Sequence, residues 1–343
     1  MKKRAQVVNV DCYYEYACEL EMLKALEADL VLRRSEKEDD IIAACRDADI
    51  VLLETVHTPM TARVIEQLKD CRAIIKYAVG YDNVDVAAAS KAGIVVANSA
   101  DYCTDEVSDQ AVALLLAAVR RISLLDRHVR AGGWFDFQLT ASMHRVRNLT
   151  LGVMGLGRIG RAVVKKMSGF DMRIIAFDPY VSAQNAEAGV ELVTAEQLYR
   201  ESDLISIHTP LTASTRGLVG EAAFRLMKPS AIVVNTSRGG IIDQDALVRA
   251  LQEKRIGGAA LDVFAEEPPP AGCPLLGFEN VILTPHTGAR SEEALAHLHL
   301  TVTRSIEAVL RGYWPPFPVN PQAHPRIPLK PWAGFQGTSS AKG

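Results

Sequence analysis

No stretch of this 343-residue chain stays apolar for the ~20 residues that a membrane-spanning helix needs. Neither sign of charge dominates: 38 Lys and Arg stand against 41 Asp and Glu. The first absence argues against a helical membrane anchor. The longest obvious apolar run, AVALLLAAV at 111–119, reads as part of a buried helix. The second absence removes the general electrostatic attraction toward nucleic acid or an anionic lipid surface. Cysteines are few and scattered, at 12, 18, 45, 71, 103 and 273. With no CxxC pair and no Cys/His cluster at zinc spacing, no metal site is expected, and ordinary thiols in a reducing cytoplasm fit best. MKKRAQVVNV at the N-terminus carries charges but no long apolar core and no cleavage site, so no signal peptide is expected. No short repeat is present.

What the chain has in plenty is hydrophobic residues, 48% of the total, in a length that suits two domains. They fall into an alternating series. Apolar, β-branched runs at 5–10, 48–54, 73–80 and 93–99 read as strands, with helical spacing at 19–26 and 60–70 between them. One long helix is predicted over about 104–131, capped by Thr104 or Asp105, with Glu106 in its first turn and Gly132–Gly133 at its end. A second series follows, with strands at 149–154, 172–178, 203–208, 231–236, 258–264 and 280–285. Helices at 158–168, 195–201, 221–227 and 243–252 lie between them, and helical spacing returns at 289–310. Short strands separated by helices mean parallel sheets with helices on their faces, an α/β protein with two similar halves. The Pro-, Gly- and Ser-rich tail from Gly312 reads as an extended wrap or a loose end.

Between a strand and a helix stands VMGLGRIG, which holds Gly155, Gly157 and Gly160. Alone a G-x-G-x-x-G is weak; in this context it is strong. Gly155 permits the tight turn, Gly157 lets backbone approach a pyrophosphate, and Gly160 lets helix and strand pack closely. The helix N-terminus, with Leu156, Arg158 and Ile159 around it, presents free N–H groups to phosphates. The next strand ends at Asp178, where a carboxylate would accept from ribose hydroxyls and repel a 2′-phosphate, which selects NAD over NADP.

Three later strands end in residues of complementary chemistry. NTSRGGIID carries Arg238, AALDVFAEEP carries Asp262 and Glu267, and ILTPHTG carries His286. Each alone could be a surface charge, and Arg238 could be half of a salt bridge on a turn. Together they suit the reduction of a 2-keto acid. Arg238 can fork onto the carboxylate and polarise the carbonyl. His286 can deliver the proton that must follow hydride addition. Glu267 can orient the imidazole and favour its protonated form.

The chain resembles the D-isomer-specific 2-hydroxyacid dehydrogenases over about residues 40–312. The matching pieces come in that family's order. They include AVGYDNVD (78–85), DEVSDQAVALLLA (105–117), LGVMGLGRIGRAV (151–163), HTPLTASTRGLV (208–219), VVNTSRGGIIDQDALV (233–248), GAALDVFAEEP (258–268) and ILTPHTG (282–288). The resemblance implies catalytic roles for Arg238, Glu267 and His286, which favours the substrate clamp over the salt bridge. It implies a ribose acid at Asp178 and a neighbour of the nicotinamide carboxamide at Asp262. It implies a cofactor groove lined by Thr104, His208, Thr209, Pro210, Thr215, Thr236, Ser237 and Gly288. Backbone N–H groups at Val79 and Gly80 would hold the substrate carboxylate, and loops near Tyr13, 56–57 and 76–80 would choose the substrate.

The implied architecture is a Rossmann NAD domain, 99–288, inserted into a flavodoxin-like split substrate domain, 1–98 plus 289–343, whose tail is loose from about 313. Both domains are doubly wound parallel sheets. The family is usually dimeric through its NAD domain, so a homodimer is expected. Phosphoglycerate dehydrogenases carry an arginine where this chain has Lys76, and another where it has Thr55. Lys76, Ala78 and Gly80 would share one strand face, so Lys76 would bring an ammonium near a second anionic group of the substrate. A second class also fits: corepressors that resemble this family, the C-terminal binding proteins, keep the NAD site and the trio but act as NAD-sensitive assembly platforms. DYCTDEVSDQ (101–110) resembles their corresponding segment. The intact trio argues against a third reading, a degenerate homologue.

Overall fold

The structure, a computed structural model, describes residues 4–331 apart from 142 and 186. The chain divides into two compact units, residues 1–102 with 292–343 and residues 103–291.

Unit 1 begins with β1 (Ala5–Asn9), α1 (Ala17–Ala25), β2 (Ala28–Leu32), α2 (Glu38–Ala44), β3 (Ile50–Leu53), α3 (Ala62–Gln67), β4 (Ala73–Lys76), α4 (Val86–Lys91) and β5 (Val95–Ala97). Its sheet runs β2-β1-β3-β4-β5, all parallel, the flavodoxin-like order. Every residue of β3 and β4 is buried, as central parallel strands require. Asp85 caps α4 by accepting from Ala88 N–H at 2.8 Å, a bond worth about 1 kcal/mol.

Unit 2 holds α5 (Thr104–Val119), α6 (Ile122–Arg130), α7 (Phe137–Thr140), β6 (Thr150–Met154), α8 (Arg158–Met167), β7 (Arg173–Phe177), β8 (Val190–Leu192), α9 (Ala195–Glu201) and β9 (Leu204–Ile207). It continues with α10 (Glu221–Leu226), β10 (Ile232–Asn235), α11 (Gln244–Gln252), β11 (Gly258–Leu261) and β12 (Val281–Leu283). Its seven strands run β12-β11-β10-β9-β6-β7-β8, again all parallel. This is the Rossmann order with one strand added, and its switch point lies between β6 and β9. One face is covered by α5 and α8, whose Leu114, Leu115, Val163 and Met167 are buried; the other packs on Phe224, Leu247 and Leu251 of α10 and α11.

The chain then returns to unit 1 as α12 (Glu292–Leu310), which lays Leu298, Val302, Ile306 and Val309 on the sheet. No helix among the described residues is long and apolar enough to cross a membrane.

The sequence reading departs from the fold in four places. The single helix expected over 104–131 is two, because Arg121 takes a left-handed conformation at φ 53° and breaks the hydrogen-bond ladder. Neither Thr104 nor Asp105 caps α5: Cys103 occupies that position without a side-chain cap bond. The strands β2 and β8 and the helices α2, α4 and α7 were not anticipated. The stretch expected to be loose from about 313 is held in place as far as 331. Asn320 is fully buried, accepting from Val96 N–H at 2.8 Å and donating to Ile94 O at 3.0 Å, and Arg326 donates to Leu68 O at 2.5 Å. Residues 332–343 lie outside the described part.

Candidate active site

The turn after β6 shows why its glycines are glycines. Gly155 has φ +94°, and a Cβ on Gly160 would stand 2.0 Å from Gly155 O, so helix and turn can meet only without one. A Cβ on Gly157 would meet nothing within 4 Å, which leaves room in front of the α8 N-terminus. Asp178, just past β7, is gripped by that turn: Oδ2 accepts from Leu156 N–H at 2.8 Å and Oδ1 from Tyr180 N–H at 2.9 Å. Two of about four acceptor sites on the carboxylate are thereby used.

Across the switch point, His208 follows β9 and Thr236 follows β10. His208 Nδ1, Thr209 Oγ1 and Thr236 Oγ1 are buried with no hydrogen-bond partner among the described residues. Each orphan costs about 1–3 kcal/mol unless something polar meets it. Burial pushes the His208 ring down to about 4, so it is neutral near pH 7. Ser237 Oγ donates to Ile207 O at 3.0 Å and Thr215 Oγ1 to Pro210 O at 2.6 Å, so these two hydroxyls brace the groove. Thr104 is the first residue of α5, and Arg158 the first of α8. Open backbone, a held carboxylate at the end of β7 and unmet polar atoms together fit a dinucleotide.

Arg238, Glu267 and His286 lie beyond the carboxyl ends of the three neighbouring strands β10, β11 and β12. Asn235 shapes the first turn, accepting from Ser237 N–H at 3.0 Å and donating to Arg238 O at 2.9 Å. Gly239 must lack a side chain, since a Cβ there would stand 1.9 Å from the backbone of Phe264. The Arg238 turn therefore lies flush against the segment that carries Glu267. Glu267 Oε1 accepts from Phe264 N–H at 2.9 Å, and Oε2 stands 2.6 Å from His286 Nδ1. An ionised carboxylate only accepts, so Nδ1 carries the hydrogen and Nε2 is the outward nitrogen. Burial raises the Glu267 pKa, but the His286 hydrogen bond and charge, the Phe264 N–H and the Arg238 charge outweigh it and hold the group below 4.5.

Asp262 is 1% exposed and accepts from Thr284 Oγ1 at 2.5 Å, from Thr287 N–H at 3.0 Å and, at Oδ2, from Gly288 N–H at 2.9 Å. Thr284, Gln110 and Asn235 escaped the sequence reading. The one signal available for Thr284 was its place in the strand-end motif two residues before His286.

In unit 1, Val79 and Gly80 follow β4 in a loop tied down by Asn98 Nδ2 donating to Val79 O at 2.6 Å. No protein acceptor takes the N–H of Val79 or Gly80 among the described residues. Lys76 corrects its expectation. Its ammonium is not at an open face: the residue is fully buried, and Nζ donates to Thr55 O at 2.5 Å, an oxygen that Asn83 Nδ2 also reaches at 3.2 Å.

These features define a two-unit α/β protein with a dinucleotide fold and a carboxylate-paired histidine. A family model described as D-isomer specific 2-hydroxyacid dehydrogenase, NAD binding domain, matches residues 112–288. A glyoxylate reductase of Korarchaeum cryptofilum is 43% identical over 299 residues, 86% of this chain and 89% of that protein. A D-3-phosphoglycerate dehydrogenase of Methanocaldococcus jannaschii is 42% identical over 277 residues, 80% of this chain but 52% of its own length, so this chain spans about half of it. A solved glyoxylate reductase from a Paecilomyces species matches with a TM-score of 0.85 at 28% identity, covering 94% of this chain and 100% of that one. The chain belongs to the D-isomer specific 2-hydroxyacid dehydrogenases, with an NAD-binding Rossmann domain.

Proposed function

We propose that the protein is an NAD-dependent oxidoreductase that interconverts a small 2-keto acid and its D-2-hydroxy acid, with unit 2 holding the cofactor and unit 1 the substrate. The observation that carries this reading is the 2.6 Å His286–Glu267 pair beside Arg238, on the strand ends of a dinucleotide fold. NAD, when bound, supplies or accepts the hydride. Gly155, Leu156, Gly157 and Ile159 would leave room for its pyrophosphate, and Asp178 would accept from its ribose. His208, Thr209 and Thr236 would offer their unmet polar atoms. Arg238 holds the substrate carboxylate and draws charge onto the carbonyl oxygen. Glu267 fixes the imidazole so that Nε2 delivers its proton to that oxygen, or removes it in the reverse direction. Within unit 1, the N–H groups of Val79 and Gly80 meet no protein acceptor among the described residues and would suit a carboxylate.

A substrate with a second anionic group would need a cation to meet it. Lys76 is fully buried with Nζ on Thr55 O and is not an exposed cation for such a group, which favours a small mono-anion such as glyoxylate, the substrate named for the 43% identical relative. Trp134, Phe135 and Phe137 of unit 2 are 81%, 77% and 72% exposed, an apolar patch that supports a homodimer through this unit; a monomeric mass by light scattering would end that reading. The six cysteines form no disulfide among the described residues, which supports a reducing, cytoplasmic compartment. The decisive experiment is steady-state turnover of glyoxylate, hydroxypyruvate, pyruvate and a dianionic keto acid with NADH. Turnover of none would leave the NAD-sensing platform as the better account.

A further inference from the structure

His286 sits on a tight loop with φ at 53°. A side chain other than glycine keeps this left-handed conformation only where its surroundings impose it. Here one residue imposes it. Asp262 stands at the end of β11, between β10 and β12. Its carboxylate takes the Thr284 hydroxyl and the N–H groups of Thr287 and Gly288, and its own carbonyl oxygen takes the N–H of His286 at 2.8 Å. The donors bracket the histidine on both sides. Thr284 Oγ1 also accepts from Gln110 Nε2 of α5 at 3.1 Å. A hydroxyl has one proton, so with Gln110 supplying a donor, the Thr284 proton goes to Asp262.

We infer that Asp262 and Thr284 form a clasp that sets His286 for proton transfer, which makes both of them positioning residues for the reaction. The inference rests on the dehydrogenase reading for its catalytic consequence. A carboxylate offers about four acceptor sites; three are filled by this loop, and the residue is 1% exposed. Its carboxylate is therefore committed mostly to the loop, with about one acceptor site left over. An asparagine at 262 would turn one accepting oxygen into an N–H donor facing donors, and a valine at 284 would remove the bridge.

The test compares Thr284→Val, Thr284→Ser and Asp262→Asn with wild type. It reads kcat for keto-acid reduction, the NADH Kd by fluorescence, and the His286 ring resonances by NMR without cofactor. Thr284→Val and Asp262→Asn are each expected to lose about 10- to 100-fold in kcat, the scale of a ~1 Å misplacement of a catalytic group. Thr284→Val should leave the NADH Kd unchanged, both variants should displace the His286 resonances, and Thr284→Ser should recover most of kcat. Gln110→Leu, which leaves the carboxylate intact but removes the donor that holds Thr284 Oγ1 from the side of α5, is expected to follow the same pattern more weakly, and serves where Asp262→Asn does not fold. Unmoved His286 resonances with wild-type kcat in Thr284→Val would overturn the clasp. So would a rise in NADH Kd that accounts for the whole kinetic loss, the mark of a cofactor contact. Because the NMR measurement needs no turnover, it judges the clasp even if wild type reduces no keto acid, a result that would sink the dehydrogenase reading alone.

Discussion

His286 Nδ1 lies 2.6 Å from Glu267 Oε2, and the other oxygen of that carboxylate is held by Phe264 N–H at 2.9 Å. The imidazole is thus oriented by a group that is itself fixed to the backbone. Such a chain leaves the ring one free nitrogen and little freedom to turn it away.

His286→Ala removes that nitrogen. A positioned acid contributes about 10²–10⁴-fold, so kcat for keto-acid reduction should fall by at least ~10². NADH affinity, read by fluorescence titration, should stay put, because nothing assigned to the cofactor is touched. Full activity at neutral pH would remove His286 from its role.

Glu267 gives the pair a signature in stability. Its folded pKa lies below the ordinary 4.5, so in the acid range the unfolded chain binds protons that the native state does not. The stabilisation is complete above about pH 4.5 and is lost as pH falls through the lowered folded value, with a slope of at most ~1.4 kcal/mol per pH unit for one group. Urea unfolding from pH 6 to pH 3 should show this acid loss in wild type and a shallower one in Glu267→Gln. Parallel curves would mean that the carboxylate is not held as the geometry has it.

Asp178 should make the enzyme prefer NADH. Leu156 N–H and Tyr180 N–H hold both carboxylate oxygens in place, so the group cannot swing aside for a 2′-phosphate. The ratio of kcat/KM for NADH and NADPH measures this, and Asp178→Ala should narrow it. A wild-type preference for NADPH would refute the ribose assignment.

The proposed catalytic trio was legible because each member follows a strand by a few residues: Asn235 ends β10, Leu261 ends β11 and Leu283 ends β12. Parallel-sheet logic then gathers their ends without any knowledge of distance. The edge strand β8, three residues long, carries too little pattern to read. The break at Arg121 is invisible because neither Gly nor Pro marks it. Gln110 had no signal in the sequence and Thr284 only its place two residues before His286, since each acts on another side chain and that relation exists only in the fold. Lys76 shows the opposite failure: strand alternation gave it a face but could not reveal that the face is closed.

That closure decides the last expectation. The Lys76 ammonium is fully buried on Thr55 O, and Asn83 Nδ2 shares the same oxygen. Lys76→Met keeps the length and removes the donor, while Asn83 Nδ2 still serves Thr55 O. The loss includes the charge-assisted bond between the end of β4 and the segment after β3, worth about 1.5–3 kcal/mol, partly offset because an ammonium no longer has to be desolvated. The variant should therefore be modestly less stable by urea unfolding. Its kinetic losses on glyoxylate and on a dianionic keto acid should be equal, because an enclosed ammonium cannot distinguish them. A loss confined to the dianion would show instead that the lysine reads a second substrate charge, and the substrate class proposed above would have to widen to include it.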